Sequence, residues 1–483
     1  MVLLFLAVGL ALAFEFVNGF HDTANAVATV IYTHSLKPNV AVIWSGMWNL
    51  IGVLTSTGAV AFGIVALLPV ELVLNVGSGA GFAMVFSLLV SAIIWNVGTW
   101  YLGLPASSSH TLIGSILGVG LANAYISGHS FGEGVNWAKA QEVGLALVVS
   151  PLVGFTFAGL LLLLLKALVK NPALFTEPEK DKAPPLWVRS ILVLTCTGVS
   201  FAHGSNDGQK GMGLIVLILV GLLPATYALK MDENPQQIAA IVVQAQAAQG
   251  VFEKNAAGTK VTEAEASEEL QAFMKPSGKA SPKTFAALAT VSGHIHDKLA
   301  ATKSFNELPA EQRREVRTDT YLTAGAITKL TKAGKIADEA DKKTANQLKD
   351  SLDSITKYIP NWVKVAVALA LGLGTMIGWK RIVVTVGEKI GKSHLTYGQG
   401  ASAELVAMGT ILAADHYGLP VSTTHVLSSG IAGTMAANKS GLQAQTLRNI
   451  LLAWVLTLPV CIFLGSMLFA FANNILLRWL GMK

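Results

Sequence analysis

Residues 103–110 read Gly103-Leu104-Pro105-Ala106-Ser107-Ser108-Ser109-His110, and residues 418–425 read Gly418-Leu419-Pro420-Val421-Ser422-Thr423-Thr424-His425. Each position of the second stretch lies 315 residues after its counterpart (418 − 103), and glycines recur in step beyond it, at Gly118 and Gly433. A shorter pair links Gly19-Phe20-His21-Asp22 to Gly204-Ser205-Asn206-Asp207. Paired segments broken by Gly and Pro, one in each half of an apolar chain, point to a duplicated membrane protein with a site near the midplane.

The surrounding sequence supports that reading. The chain has 483 residues, of which 52% are hydrophobic and 13% charged; a soluble domain carries about 25% charged residues. The apolar residues form long runs, at 41–68, 82–102, 143–168, 211–229 and 450–477. Each reaches the roughly 18–20 residues that cross a bilayer as a helix. Lipid offers the backbone no partners, so helices are the expected form. The spacing therefore predicts an all-α polytopic membrane protein of roughly 10–12 membrane segments. Residues 1–228 form one membranous region, residues 229–360 a polar insert, and residues 361–483 a second membranous region. The insert places Leu270, Phe273 and Met274, then Phe285, Leu288 and Val291, at helical spacing.

The net charge of +6 comes from basic residues at helix ends and in the insert, a pattern without a nucleic-acid footprint. Two basic loops, one around Lys166, Lys170, Lys182 and Arg189, the other around Lys380, Arg381, Lys389 and Lys392, face the cytoplasm by the positive-inside rule. Cys196 and Cys461 fall singly in apolar segments, with neither disulfide nor metal-site spacing. The apolar N-terminus has no basic flank and meets polar Asn18 to Asn25 at once, which argues against a secretory leader.

The hydroxyl stretches suit an oxyanion. Pro breaks or begins a helix, Ser and Thr cap its first turn, and the free N–H groups and positive dipole end attract an anion. Hydroxyls add donors that turn to suit the guest. Ser107, Ser108, Ser109, Ser422, Thr423 and Thr424 thus form two such devices, composed of neutral donors without arginine. His110 and His425 read first as packing residues, with a ligand or proton role as the other option. Asp22 and Asp207 lie in apolar surroundings, as do Glu15, Lys210 and Glu404, and ionisable groups there are costly and usually functional. Carboxylates beside Asn18, Asn25 and Asn206 suit a hard cation; a carboxylate beside His21 suits a proton. Asp415, at a helix end, reads as structural.

Together, Gly19-Phe20-His21-Asp22-Thr23-Ala24-Asn25-Ala26, Pro105 to His110, Gly204-Ser205-Asn206-Asp207-Gly208-Gln209-Lys210-Gly211 and Pro420 to His425 closely resemble the inorganic phosphate transporter (PiT) family, and most of all its bacterial low-affinity branch. The resemblance covers both membranous regions; the insert matches that family's variable central loop. It implies two inverted repeats with re-entrant helical hairpins, a homodimer in the bacterial inner membrane, and no enzymatic activity. It also implies phosphate at Ser107, Ser108, Ser109, Ser422, Thr423 and Thr424, and the coupling ion at Asp22, Asn25, Asn206, Asp207 and Glu404. His21, His110, Lys210 and His425 form a second tier. Asp22 and Asp207 are the metal-ligand candidates. No resident cofactor is implied, although a divalent cation such as Mg2+ would travel with phosphate as a neutral complex.

Departures from the family decide the expected coupling ion. Sodium-coupled members carry Gly-Ala-Asn-Asp-Val-Ala/Ser-Asn-Ala in both copies. Here His21 replaces Asn, Lys210 stands where the first copy has Asn25, and Asn49 stands where several relatives are acidic. An ammonium would repel sodium or fill its place, so the expectation is proton symport, with sodium symport or a sulfate permease of the same family as alternatives. A hydrolase is disfavoured because Ser109-His110 and Thr424-His425 are adjacent, about 100° apart on a helix, and no GxSxG elbow occurs. An anion channel fits less well than alternating access. His294 and His296 in the insert read as a solvated surface ahead of a metal site.

Overall fold

The computed structural model describes residues 2–68, 73–74, 78–179, 182–476, 479 and 481, with the side chains of 23–25, 131 and 475–476 outside that description. Every regular element among the described residues is helical. The first region holds α1 (Val2–Tyr32), α2 (Pro38–Thr55), α3 (Ala59–Val65), α4 (Gly79–Tyr101), α5 (Ser108–Ile126), α6 (Trp137–Leu168) and α7 (Leu186–Leu222). The insert holds α8 (Pro235–Asn255), α9 (Glu263–Met274), α10 (Pro282–Leu299), α11 (Ala310–Lys332) and α12 (Glu339–Thr356). The last region holds α13 (Asn361–Met376), α14 (Lys380–Glu388), α15 (Tyr397–His416), α16 (Thr423–Ala437) and α17 (Ala444–Phe471).

Among the described residues five helices are long and apolar enough to cross a membrane, namely α1, α4, α6, α7 and the stretch Ala444–Asn474; counting α2 with α3 and α12 with α13 as bent spans gives up to seven. The ten to twelve segments read from the sequence include helices that fall short by length or polarity. α13 has 16 residues and α16 has 15. At 1.5 Å per residue α16 covers about 22 Å, less than the ~30 Å hydrocarbon core. On the long helices, Leu145, Val148 and Leu152 of α6 and Val455 and Phe463 of α17 are exposed, as lipid-facing residues must be.

Two hairpins dominate the centre. α4 turns into α5, and α15 turns into α16, each through a six-residue break (102–107 and 417–422). Both breaks open with the same helix stop. Gly103 at φ 67° and Gly418 at φ 65° adopt the left-handed conformation. The next amides return to the helix, Leu104 N to Thr99 O and Leu419 N to Ala414 O, each at 2.9 Å. This is a glycine-terminated Schellman stop, which residues with a Cβ fit poorly. The glycines farther along serve close helix contact. A Cβ built at Gly118 of α5 would meet Ile462 O of α17 at 2.1 Å, and one at Gly433 of α16 would meet Phe155 O of α6 at 2.0 Å.

The insert has its own apolar core, built from Ile241, Phe252, Leu270, Phe273, Leu288, Leu322 and Leu348 among others. Capping boxes start α9 (Thr262 with Glu265) and α10 (Ser281 with Thr284). His294 lies 2.7 Å from Asp319 and His296 lies 2.9 Å from Asp297, so the two histidines face different aspartates. Burial pushes the Asp319 carboxyl up, against the pull of His294.

The insert and the basic loops occupy opposite ends of the membrane region. Arg189 Nε donates to Ser35 O at 2.8 Å, just before α2, and His394 N donates to Glu177 at 3.1 Å. At the far end of α2, Lys364 Nζ donates to Ser56 O at 3.1 Å, and Lys275 and Lys332 of the insert face Glu133 and Glu142. The 18 residues of α2 separate these ends by about 27 Å. With basic loops inside, the insert is expected outside. Lys335→Cys should react with a membrane-impermeant maleimide in right-side-out vesicles, and Lys392→Cys only after permeabilisation; the reverse pattern would invert this topology. Separately, Gly118→Ala and Gly433→Ala should each lower stability in detergent by roughly 1–3 kcal/mol. Gly98→Ala, whose Cβ meets nothing within 4 Å, should not; thermal unfolding reads the difference.

Candidate functional site

The two hydroxyl stretches are buried and meet. Ser107 caps α5 and Ser422 caps α16, each hydroxyl accepting from the amide of the histidine three residues on, at 3.1 Å in both cases. The duplication thus extends from sequence into cap geometry. The third hydroxyl of each stretch reaches across. Ser109 Oγ donates to Val421 O of the other break at 2.7 Å, and Thr424 Oγ1 donates to Asp22 Oδ1 of α1 at 2.7 Å. The middle hydroxyls differ. Ser108 Oγ and Thr423 Oγ1 are buried and have no hydrogen-bond partner among the described residues. A buried hydroxyl left unpaired costs on the order of 1–3 kcal/mol, so a guest that bonded either one would recover that cost.

His110 and His425 also converge. Their rings lie 4.5 Å apart, and His425 stacks on Trp454 at 4.0 Å. Trp454 in turn donates to Pro105 O at 2.9 Å, tying α17 to the first break. The rings pack on one another and on Trp454, while His110 Nδ1 and His425 Nε2 are buried without a hydrogen-bond partner among the described residues.

The acidic motifs sit beside the hydroxyls. His21 on α1 bridges Asp22 Oδ1 and Thr99 Oγ1, each at 3.0 Å. On α7, Asp207 Oδ1 lies 2.8 Å from Lys210 Nζ and Oδ2 lies 3.5 Å from His203 Nε2. Asp22, His203 and Asp207 present ligand atoms within 4.8 Å of one another, a grouping able to hold a cation. Lys210 donates to Ser109 Oγ at 2.5 Å. The donor set is therefore not neutral as its own motifs suggest, because an ammonium from α7 joins it.

Other expected residues are placed differently. Asn206 spends its amide on the second break, donating to Leu419 O at 3.1 Å and accepting from Val421 N at 3.5 Å. The side chain of Asn25 lies outside the described residues. Glu404 of α15 accepts from Thr29 and Thr195. Thr29 is seven residues beyond Asp22 on α1, about 10 Å along the axis, so Glu404 forms a separate station. Glu15, fully buried, accepts from Asn18 Nδ2 at 3.4 Å. Asp415 accepts from Ser205 Oγ at 2.6 Å and Gln209 Nε2 at 2.5 Å, a structural network joining α7 to α15.

Sequence reasoning missed His203, although it stands four residues before Asp207, on the same helical face. Asn49 orients it, with Oδ1 2.9 Å from His203 Nδ1. Thr29 and Thr195 carried no signal of their own.

The sequence model of the phosphate transporter family matches residues 18–465. The chain belongs to this family. It is 42% identical to the low-affinity inorganic phosphate transporter PitA of Escherichia coli (strain K12), over 97% of this chain and 96% of that one. It is 41% identical to PitB of the same strain, over 98% and 97%. A probable low-affinity inorganic phosphate transporter of Bacillus subtilis (strain 168) is 28% identical, over 98% of both chains. A solved structure named the sodium-dependent phosphate transporter aligns over 98% of this chain and 100% of that one, with a TM-score of 0.52 at 19% identity, a likeness of fold alone.

The two kinds of hydroxyl separate in a stability assay. Ser107→Ala and Ser422→Ala should each destabilise the family fold by ~1 kcal/mol through the lost cap. Ser108→Ala and Thr423→Val should leave thermal unfolding unchanged or raise its midpoint, since each removes an unpaired buried hydroxyl. Equal destabilisation by all four would contradict the division of labour.

Proposed function

We propose that this protein carries inorganic phosphate across the bacterial inner membrane as a proton symporter, working as a homodimer of two-repeat, inverted-topology subunits. The observation that carries the phosphate assignment is the meeting of two capped helix starts, each with one unpartnered buried hydroxyl, Ser108 and Thr423. Helix starts supply N–H groups and positive dipole ends; the two hydroxyls and the Lys210 ammonium complete a cradle for a tetrahedral anion. The names of the relatives support the same substrate.

Charge explains why a coupling ion is needed. Asp22, Asp207 and Lys210 in ionised form sum to −1, and all are buried. Phosphate adds at least one more negative charge, and an uncompensated buried charge is expensive. Positive charge must enter with the anion. Asp207 already has the Lys210 ammonium against it, which leaves less room for sodium and favours protons. Glu404, bonded to two hydroxyls and to no basic side chain among the described residues, is the proton-carrying carboxyl in this reading. A divalent cation travelling with phosphate would use Asp22, His203 and Asp207.

Purified protein in liposomes tests this. Phosphate should accumulate under an inward proton gradient in choline buffer without sodium; accumulation that requires sodium would overturn proton coupling. Excess sulfate should compete weakly, and equal competition would favour the sulfate reading. Ser108→Ala and Thr423→Val should each raise the KM for phosphate about tenfold, the worth of one strong hydrogen bond. Glu404→Gln should lose gradient-driven accumulation yet keep phosphate counterflow, which a merely misfolded variant would not.

A further inference from the structure

The two acidic motifs meet the two hydroxyl motifs in unequal ways. In the first, Asp22 Oδ1 accepts directly from Thr424 Oγ1 at 2.7 Å. The corresponding residues of the second are Asp207 (22 + 185) and Ser109 (424 − 315). Between these two stands Lys210, with Nζ 2.8 Å from Asp207 Oδ1 and 2.5 Å from Ser109 Oγ. One copy has carboxylate on hydroxyl; the other has carboxylate, ammonium, hydroxyl. Lys210 itself occupies the register position of Asn25 in the first copy (25 + 185).

A carboxylate oxygen and a hydroxyl oxygen flanking one positive centre are the ligands a small hard cation would take. Lys210 is fully buried and its stem ends on these oxygens. A flexible ammonium held this deep requires such partners, because burying it unpaired would cost several kcal/mol. The surroundings are rich in acid on every side. Asp207 and His203 share its helix, Asp22 and Glu15 come from α1, and Glu15 lies against Gly211, the next residue of α7. Positive charge is wanted here whether or not the chain itself supplies it.

We infer that Lys210 is a tethered cation standing in the place of a mobile one, and that this residue is what frees phosphate uptake from a sodium requirement. The inference rests on the sodium-independent reading proposed above. Lys210→Asn restores the amide that the first copy has at this position and leaves Asp207 buried without its partner. A free monovalent cation should then fill the gap, and phosphate transport should acquire a dependence on it.

The experiment uses full-length protein in liposomes, with uptake of labelled phosphate measured in sodium and in choline buffers under one proton gradient. Wild type should be indifferent to the exchange. Lys210→Asn should be slow in choline and rise about tenfold in sodium, within the range usual for coupling between two bound ligands. Its thermal unfolding midpoint in detergent should rise with added sodium, and that of wild type should not. The double variant Asp207→Asn with Lys210→Asn removes both charges and should show neither response. If wild type needs sodium, the proton-symport reading fails and this inference with it. If wild type is indifferent, either of two results overturns the inference alone. One is wild-type uptake by Lys210→Asn in choline. The other is a variant that sodium neither activates nor stabilises, including one that fails to fold in sodium.

Discussion

Two helices of this protein begin inside it, and that constraint governs the rest. A helix start exposes amides that need acceptors, and water supplies them only at a surface. At the starts of α5 and α16 the chain supplies them from its own hydroxyls, Ser107 and Ser422. The caps hold two positive dipole ends together among buried residues. Such an arrangement is stable only if something negative shares the space. Asp22 meets part of that demand through Thr424, and in the proposed function a transported anion meets the rest. The glycines at Gly118 and Gly433 follow from the same constraint, because the two short helices must press backbone to backbone against α17 and α6 to be held at all.

The hydroxyl motifs were legible because duplication wrote them twice at one interval. That interval also aligns the stop glycines Gly103 and Gly418 and the packing glycines beyond, and every one of these positions repeats its geometry. What the sequence hid is contact between elements far apart in the chain. Lys210 reads as a misfit in a motif, but only the approach of α7 to α5 shows that its ammonium ends on Ser109. Glu404 reads as an intramembrane acid, yet Thr29 and Thr195, its partners, are unremarkable threonines on apolar helices. His203 is signalled by its spacing to Asp207 but lies just outside the matched motif. One continuous helix, Leu186–Leu222, runs from the first basic loop toward the insert, which the apolar pattern near 190–228 does not show.

The position of the insert also separates two kinds of boundary. Its attachment at 229–360 leaves Asp22, Ser107–Ser109 and Asp207 before it and Glu404 and Ser422–Thr424 after it. Motif order, acid then hydroxyl, instead restarts at α7. α7 contributes Asp207 and Lys210 to contacts with α5, and α1 contributes Asp22 to a contact with α16. Each acidic helix therefore serves the hydroxyl helix of the other motif set, and neither set completes a site alone.

That crossing bears on how one site can face two sides in turn. The bonds that join the sets are few and specific: Ser109 to Val421, Asp22 to Thr424, Lys210 to Ser109, and Asn206 to the second break. All lie at the buried centre; at the start of the two breaks, Thr385 of α14 donates to Gly103 O and Gly418 packs close to Ala59 of α3. In the proposed transport cycle, a rocking motion of one set against the other would break some of these central bonds while a bound anion replaced them. Neutral hydroxyls and one tethered ammonium suit that exchange better than an arginine fork, since a bidentate clamp would fix the anion to one set. In the proposed transport cycle, the unpaired hydroxyls of Ser108 and Thr423 are the cost of a site that binds from both directions and releases to both.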